Sequence, residues 1–120
     1  MKLSLVIPTY NEKENIQELL PALKEHFDKN KIDAEIIVID DNSPDGTGQI
    51  LEELKKQYQN LEIIHRKGKL GLSSAVLEGF SIAKGGILGV MDADLSHPVG
   101  KIREMYQTAI KDADLVVGSR

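Results

Sequence analysis

Short apolar runs alternate with stretches of helical periodicity from one end of this chain to the other, with no linker or low-complexity segment between them. That alternation leaves little freedom. Strands joined through helices need right-handed crossover connections, and they assemble into a parallel sheet covered on both faces. The runs at residues 3–7, 36–39, 61–64, 87–91 and 115–117 predict the strands. Ile16, Leu19, Leu20, Leu23 and Phe27 give the first helix one buried face, with Asn11 as its N-cap and Glu14 as capping-box partner. Ile50, Leu51, Leu54 and Tyr58 mark the second helix, which Ser43 caps and Pro44 opens. Ala75, Val76, Phe80 and Ala83 line a third, and Ile102, Met105, Tyr106, Ala109 and Ile110 a fourth. The class is α/β. The expected strand order is Rossmann-like, 3-2-1-4-5, which opens a crevice between strands one and four where the connections change direction.

With 120 residues and 41% hydrophobic content, the chain has material for one domain, residues 1–120, around one core. Its net charge of −4 and 4% aromatic content provide neither a basic stripe nor a stacking platform, which argues against nucleic acid as a partner. The absence of cysteine excludes disulfides and thiolate metal sites and fits a reducing compartment. No apolar stretch approaches the roughly 18 residues needed to span a bilayer. The first run is stopped by Pro8 before it can serve as a signal-peptide core. The expectation for the chain as given is therefore cytoplasmic.

The chemistry gathers where the strands end. In open α/β sheets ligands bind outside the carboxyl ends of the strands, and those ends carry residues 8–12, Asp40-Asp41 and Asp92-Ala93-Asp94. Two aspartates flanking a small residue offer hard oxygen ligands to Mg²⁺ or Mn²⁺ and leave positions open for phosphate oxygens. A D-x-D triplet alone also describes a solvated turn; its coincidence with the other segments on one rim favours the metal. Adjacent strands lie about 4.8 Å apart, so loops after strands two, one and four span roughly 10 Å, the reach of a nucleoside diphosphate. Asp40 can accept hydrogen bonds from a base or ribose, whereas Asp41 or Ser43 fits local capping. Tyr10 can stack on a base and Glu12 can accept from ribose or base, while Asn11 fits a helix start. Within the basic segment 65–69, Lys67 reads as a solvated loop residue, and Lys69 as either that or a phosphate contact. His97 fits turn chemistry or a metal or phosphate contact, and Arg120 a phosphate clamp.

Taken together, Val6-Ile7-Pro8-Thr9-Tyr10-Asn11-Glu12, Val38-Ile39-Asp40-Asp41-Asn42-Ser43-Pro44-Asp45-Gly46-Thr47, Lys69-Leu70-Gly71-Leu72-Ser73-Ser74-Ala75, Met91-Asp92-Ala93-Asp94-Leu95-Ser96-His97-Pro98 and Gly118-Ser119-Arg120 resemble the nucleotide-binding part of family-2 inverting glycosyltransferases of the GT-A fold. Within that family the chain is most similar to the dolichol-phosphate mannose synthases and related polyprenyl-phosphate glycosyltransferases. The resemblance implies a donor-binding set of Pro8, Tyr10, Glu12, Asp40, Asp92, Ala93, Asp94 and Arg120. Pro8, Tyr10, Glu12 and Asp40 would surround the nucleoside of GDP-mannose. Asp92 and Asp94 would hold Mg²⁺ or Mn²⁺ against the diphosphate, and Arg120 would contact phosphate.

The implied reaction moves mannose to dolichyl or another polyprenyl phosphate with inversion. That acceptor is already anionic near neutral pH, so no catalytic base is assigned. Ser96 stands where the family often has Gln, and Val99-Gly100 where a second proline and an acidic residue are common. The resemblance further implies that the chain stops before an acceptor-binding half, and that the full-length protein works at the cytoplasmic face of a membrane. UDP-sugar donors and a noncatalytic nucleotide-binding fragment are the alternatives. A response-regulator receiver domain fits poorly, because it needs its acidic pair after strand one and an aspartate after strand three. Pro8-Thr9-Tyr10 and His65-Arg66 stand there instead.

Overall fold

The computed structural model describes residues 2–41, 43–67 and 71–91 together with Ala93 and Ile102. Seven elements follow one another: β1 (Leu3–Thr9), α1 (Lys13–Asn30), β2 (Ala34–Asp40), α2 (Thr47–Lys55), β3 (Leu61–His65), α3 (Leu72–Ile82) and β4 (Ile87–Val90). The strands are parallel in the order β3-β2-β1-β4, matching the first four places of the expected order. The predicted fifth strand, and the fourth-helix stripe apart from the buried, helical Ile102, lie outside the described residues.

β1 and β2 are the central strands, and their side chains divide between the two faces as the period of two requires. Leu5, Ile7, Ile36 and Val38 pack with Ile16, Leu19, Leu20, Leu23 and Phe27 of α1 and Leu51 of α2. On the other face Val6, Ile37 and Ile39 meet Ala75 and Phe80 of α3. The split follows from the handedness of the crossovers. The chain steps from β1 to β2 to β3 in one direction through α1 and α2, then returns over the opposite face through α3 to reach β4. Gly79 lets α3 lie close on β1, since a Cβ built there would stand 2.6 Å from Val6 Cγ1. At the amino ends of the strands, buried Glu35 accepts hydrogen bonds from Ser4 Oγ (2.5 Å) and the Lys84 N–H (2.6 Å), and Ser4 Oγ accepts from the Gly85 N–H (2.8 Å). Among the described residues, no helix is long and apolar enough to cross a membrane.

Both predicted helix starts need correction. α1 begins at Lys13, two residues after Asn11, with Glu12 in the N-cap position and no side-chain capping bond. Asn11 instead takes a left-handed backbone (φ 57°), which asparagine tolerates, and the box with Glu14 does not form. The amides at this start are met from the β2–α2 loop. The Asn11 N–H donates to Ser43 Oγ (2.9 Å), the Glu12 N–H to Thr47 Oγ1 (3.2 Å) and the Lys13 N–H to Asp45 Oδ2 (3.2 Å). α2 likewise starts at Thr47, after Gly46 at φ 93°, so Ser43-Pro44 neither cap nor open it. Asp45 Oδ1 accepts from the Thr47 N–H (3.0 Å) and Oγ1 (2.5 Å).

Candidate functional site

Sheet register sets a row of three side chains along the carboxyl rim, with Thr9 paired to Asp40 and Asp40 to His65. Asp40 is 3% exposed, and its carboxylate is oriented from both sides. Oδ1 accepts from Ser43 Oγ (2.6 Å) and Thr9 Oγ1 (3.1 Å), and Oδ2 from the Ser43 N–H (3.3 Å). Ser43 thus serves Asp40 and the start of α1 rather than α2. A polar cleft of about 360 Å³ opens beside Asp40, bounded by Ser43, Gly46, Gly48, Gln49 and His65. A Cβ on Gly48 would approach Asp40 Oδ2 to 3.2 Å and the His65 ring to 3.3 Å, so glycine keeps that wall open. His65 Nε2 contacts Glu52 Oε2 at 2.5 Å. Two larger clefts, about 550 and 410 Å³, lie along α1 at Lys24 and Asp28 and include none of the candidate donor residues.

Pro8 lies inside β1, paired with Ile39 of β2, two residues past Val6, where the described pairing of β1 with β4 ends. The Lys2 and Val6 carbonyls accept from the Ile87 and Met91 amides, so the β4 side of Pro8, where it has no N–H, lies past those rungs. Tyr10, immediately after β1, is 39% exposed. Glu12 is half-buried and accepts from Asn15 Nδ2 (2.9 Å). The structure therefore brings Pro8, Tyr10, Glu12 and Asp40 to one end of the sheet on two adjoining strand ends.

At the end of β4 the Met91 N–H donates to Val6 O (3.0 Å), and Ala93 is 1% exposed within the larger core cluster. The middle residue of the Asp-Ala-Asp triplet is thereby anchored beside β1, and carboxylates such as those of its two sequence neighbours are of the hard-oxygen type that suits Mg²⁺ or Mn²⁺. Asp92, Asp94, His97 and Arg120 lie outside the described residues, as do Lys69 and Ser96. Among the described residues no group of three or more histidines and carboxylates is arranged to hold a metal.

Arg66 is the residue that sequence reasoning missed, having read it only as part of a basic run. Its side chain is 3% exposed. Nε donates to Asp41 Oδ1 (2.6 Å) and Nη2 to Asp41 Oδ2 (3.0 Å), a two-point pairing. Nη2 also donates to Gly71 O (3.1 Å), and Nη1 to Ser74 Oγ (2.7 Å) and Glu78 Oε1 (3.4 Å). Asp41 is accordingly a buried ion-pair partner, not the local cap expected from its turn-forming neighbours. The hydrogen bond to Asp41 chiefly holds the guanidinium above its ordinary range; burial opposes this, and the charge of Asp41 adds to it. Lys67, by contrast, is exposed. Desolvation is the largest influence on the Asp45 carboxyl and acts upward, yet hydrogen bonds from the Thr47 side chain and the Lys13 and Thr47 amides together hold it below the ordinary aspartate range.

The parallel sheet in the order β3-β2-β1-β4, with helices on both faces, is an α/β architecture of the GT-A-like kind. The chain belongs to glycosyl transferase family 2, whose profile matches residues 4–120. It is 42% identical over 120 residues to a dolichol-phosphate mannosyltransferase of Pyrococcus furiosus, covering all of this chain and 33% of that protein. It is 39% identical to the dolichol-phosphate mannosyltransferase of Saccharomyces cerevisiae, over 98% of this chain and 44% of the relative. The chain thus spans between a third and a half of the length of these curated relatives. Among solved structures, the mannosyltransferase PcManGT of Pyrobaculum calidifontis, in complex with GDP-Man and Mn²⁺, superposes with a TM-score of 0.72 at 26% identity. That match covers 84% of this chain and 30% of PcManGT.

Proposed function

We propose that this chain forms the donor-binding part of a metal-dependent, inverting glycosyltransferase that moves mannose from GDP-mannose to dolichyl or another polyprenyl phosphate. The observation that carries this reading is the buried, pre-oriented Asp40 carboxylate on the same rim as Tyr10 and the anchored Ala93. Among the described residues, Thr9 and Ser43 occupy much of Asp40 Oδ1 while Oδ2 accepts one long bond, from the Ser43 N–H, so Oδ2 is the oxygen with more capacity for a donor N–H or hydroxyl. Tyr10 offers a ring face to a base, and Glu12 an acceptor to ribose or base. Asp92 and Asp94 would hold the divalent cation, and Arg120 would add a phosphate contact. Bound there, the cation would offset the charge that builds on the departing diphosphate.

Relatives carrying the name dolichol-phosphate mannosyltransferase, and a structural neighbour in complex with GDP-Man and Mn²⁺, support mannose as the sugar and GDP as its carrier. The acceptor phosphate is ionised near neutral pH, so the chemistry asks for orientation and charge stabilisation before a strong base. A lipid-borne acceptor would have the enzyme work at a membrane surface, with the sugar nucleotide reaching it from the cytoplasm. Calorimetric titration with GDP-mannose, GDP and UDP-glucose tests the reading. Binding of the two guanine ligands in preference to UDP-glucose is expected. Preference for UDP-glucose would refute GDP-mannose as donor, and absence of all binding would refute the donor site.

A further inference from the structure

We infer that Arg66 is a positioning residue of the donor site: through Asp41 and the Gly71 carbonyl it holds the ends of β2 and β3 and the start of α3 in the arrangement that a sugar nucleotide meets. This rests on the donor-site reading above and goes beyond it, since Arg66 is not among the residues to which that reading gives a ligand contact.

The geometry concentrates on one guanidinium. Its three nitrogens donate to Asp41, Gly71, Ser74 and Glu78. The backbone extends the same connections, because the Asp41 N–H donates to Thr9 O (3.1 Å) and the Arg66 N–H to Asp40 O (2.8 Å). The side chain therefore connects Asp41, the end of β3 and the first turns of α3, and the backbone bonds carry that connection on to Asp40 and to Thr9, the residue before Tyr10. Gly71 is at positive φ (102°), which glycine adopts without strain, and its carbonyl accepts from both Arg66 Nη2 (3.1 Å) and the Ala75 N–H (3.1 Å), so the guanidinium is tied to the first turn of α3 through that oxygen. The two-point pairing also neutralises Asp41 beside a cluster of carboxylates that an anionic diphosphate must approach.

A buried ion pair is weak evidence for net stability, since apolar groups of similar volume often replace such a pair without loss. Positional control is a different demand. Displacement of a binding group by about 1 Å can weaken a site by one to two orders of magnitude. The two roles separate experimentally. The chain, Arg66→Lys and the double variant Arg66→Met/Asp41→Leu are each titrated with GDP-mannose in Mn²⁺ and melted in parallel. Lysine keeps the charge but loses the fork that spans Asp41 and Gly71.

The expected result is that Arg66→Lys folds, melts within a few degrees of the parent and binds GDP-mannose about ten-fold or more weakly. The double variant is expected to recover the parent's melting temperature without recovering affinity. Parent-like binding by Arg66→Lys, recovery of both properties in the double variant, or failure of Arg66→Lys to fold would each overturn the inference and leave Arg66 a fold staple. If the unaltered chain binds no sugar nucleotide, the donor-site reading itself fails and the inference falls with it.

Discussion

Gly79→Ala should destabilise the chain, although alanine is the better helix former. Propensity alone favours the change by about 0.8–1 kcal/mol in a helix interior. Against that, the new Cβ would stand 2.6 Å from Val6 Cγ1 and 2.9 Å from Cγ2, where contacting carbons prefer about 3.5–4.0 Å. Valine is stiff at χ1, and rotation exchanges one methyl for the other without clearing the space. α3 and β1 must therefore separate by roughly 1 Å, and overpacking of this kind costs about 1–3 kcal/mol. With the clash at the upper end of that range, the net loss is about 2 kcal/mol. For a domain of this size that is a fall in melting temperature of about 8 °C.

Urea denaturation followed by circular dichroism measures it, and Val6→Ala supplies the control. Removing both methyls costs about 2 kcal/mol alone, but the double variant should be more stable than the sum of the single effects by at least about 1 kcal/mol. A stabilised Gly79→Ala chain, or additivity within about 0.5 kcal/mol, would refute the close α3–β1 packing. The packing also bears on the site, because the start of the same helix carries Gly71 and Ser74 to Arg66.

Asp45→Ala strips acceptors from the starts of α1 and α2 and should cost about 1 kcal/mol, measured by the same denaturation. Because hydrogen bonds hold the Asp45 carboxyl below the ordinary aspartate range in the folded chain, its contribution is present above the unfolded carboxyl's pKa and fades as pH falls through the folded value. The acid limb of the stability curve should therefore be shallower in Asp45→Ala. Glu35→Ala leaves the Lys84 N–H and Ser4 Oγ without their buried acceptor and should cost about 1–3 kcal/mol in a urea titration, with no effect on metal affinity.

The sheet was legible because its central strands are buried on both faces and so appear as unbroken apolar runs. Residues 36–39 lie inside a β2 in which all seven residues are buried. The helix starts were not legible, and the cause is physical. The amides of Asn11, Glu12 and Lys13 find Ser43, Thr47 and Asp45, partners 32 to 35 positions away that no local capping pattern reveals. The site divides in the same way. Asp40 and Tyr10 could be placed on the rim from strand ends alone, whereas pairing of Asp41 with Arg66 depends on the register of β2 against β3. In sequence, Arg66 sits in a run with Lys67 and Lys69, and only its burial separates it from Lys67.

The central claim, that the rim is a metal-dependent donor site, is tested most directly by titrating the chain with GDP-mannose in Mn²⁺, in EDTA, and as Asp94→Ala in Mn²⁺. Binding in Mn²⁺ that is lost both in EDTA and in Asp94→Ala is the predicted result. Equal binding under all three conditions, or none in Mn²⁺, would contradict it.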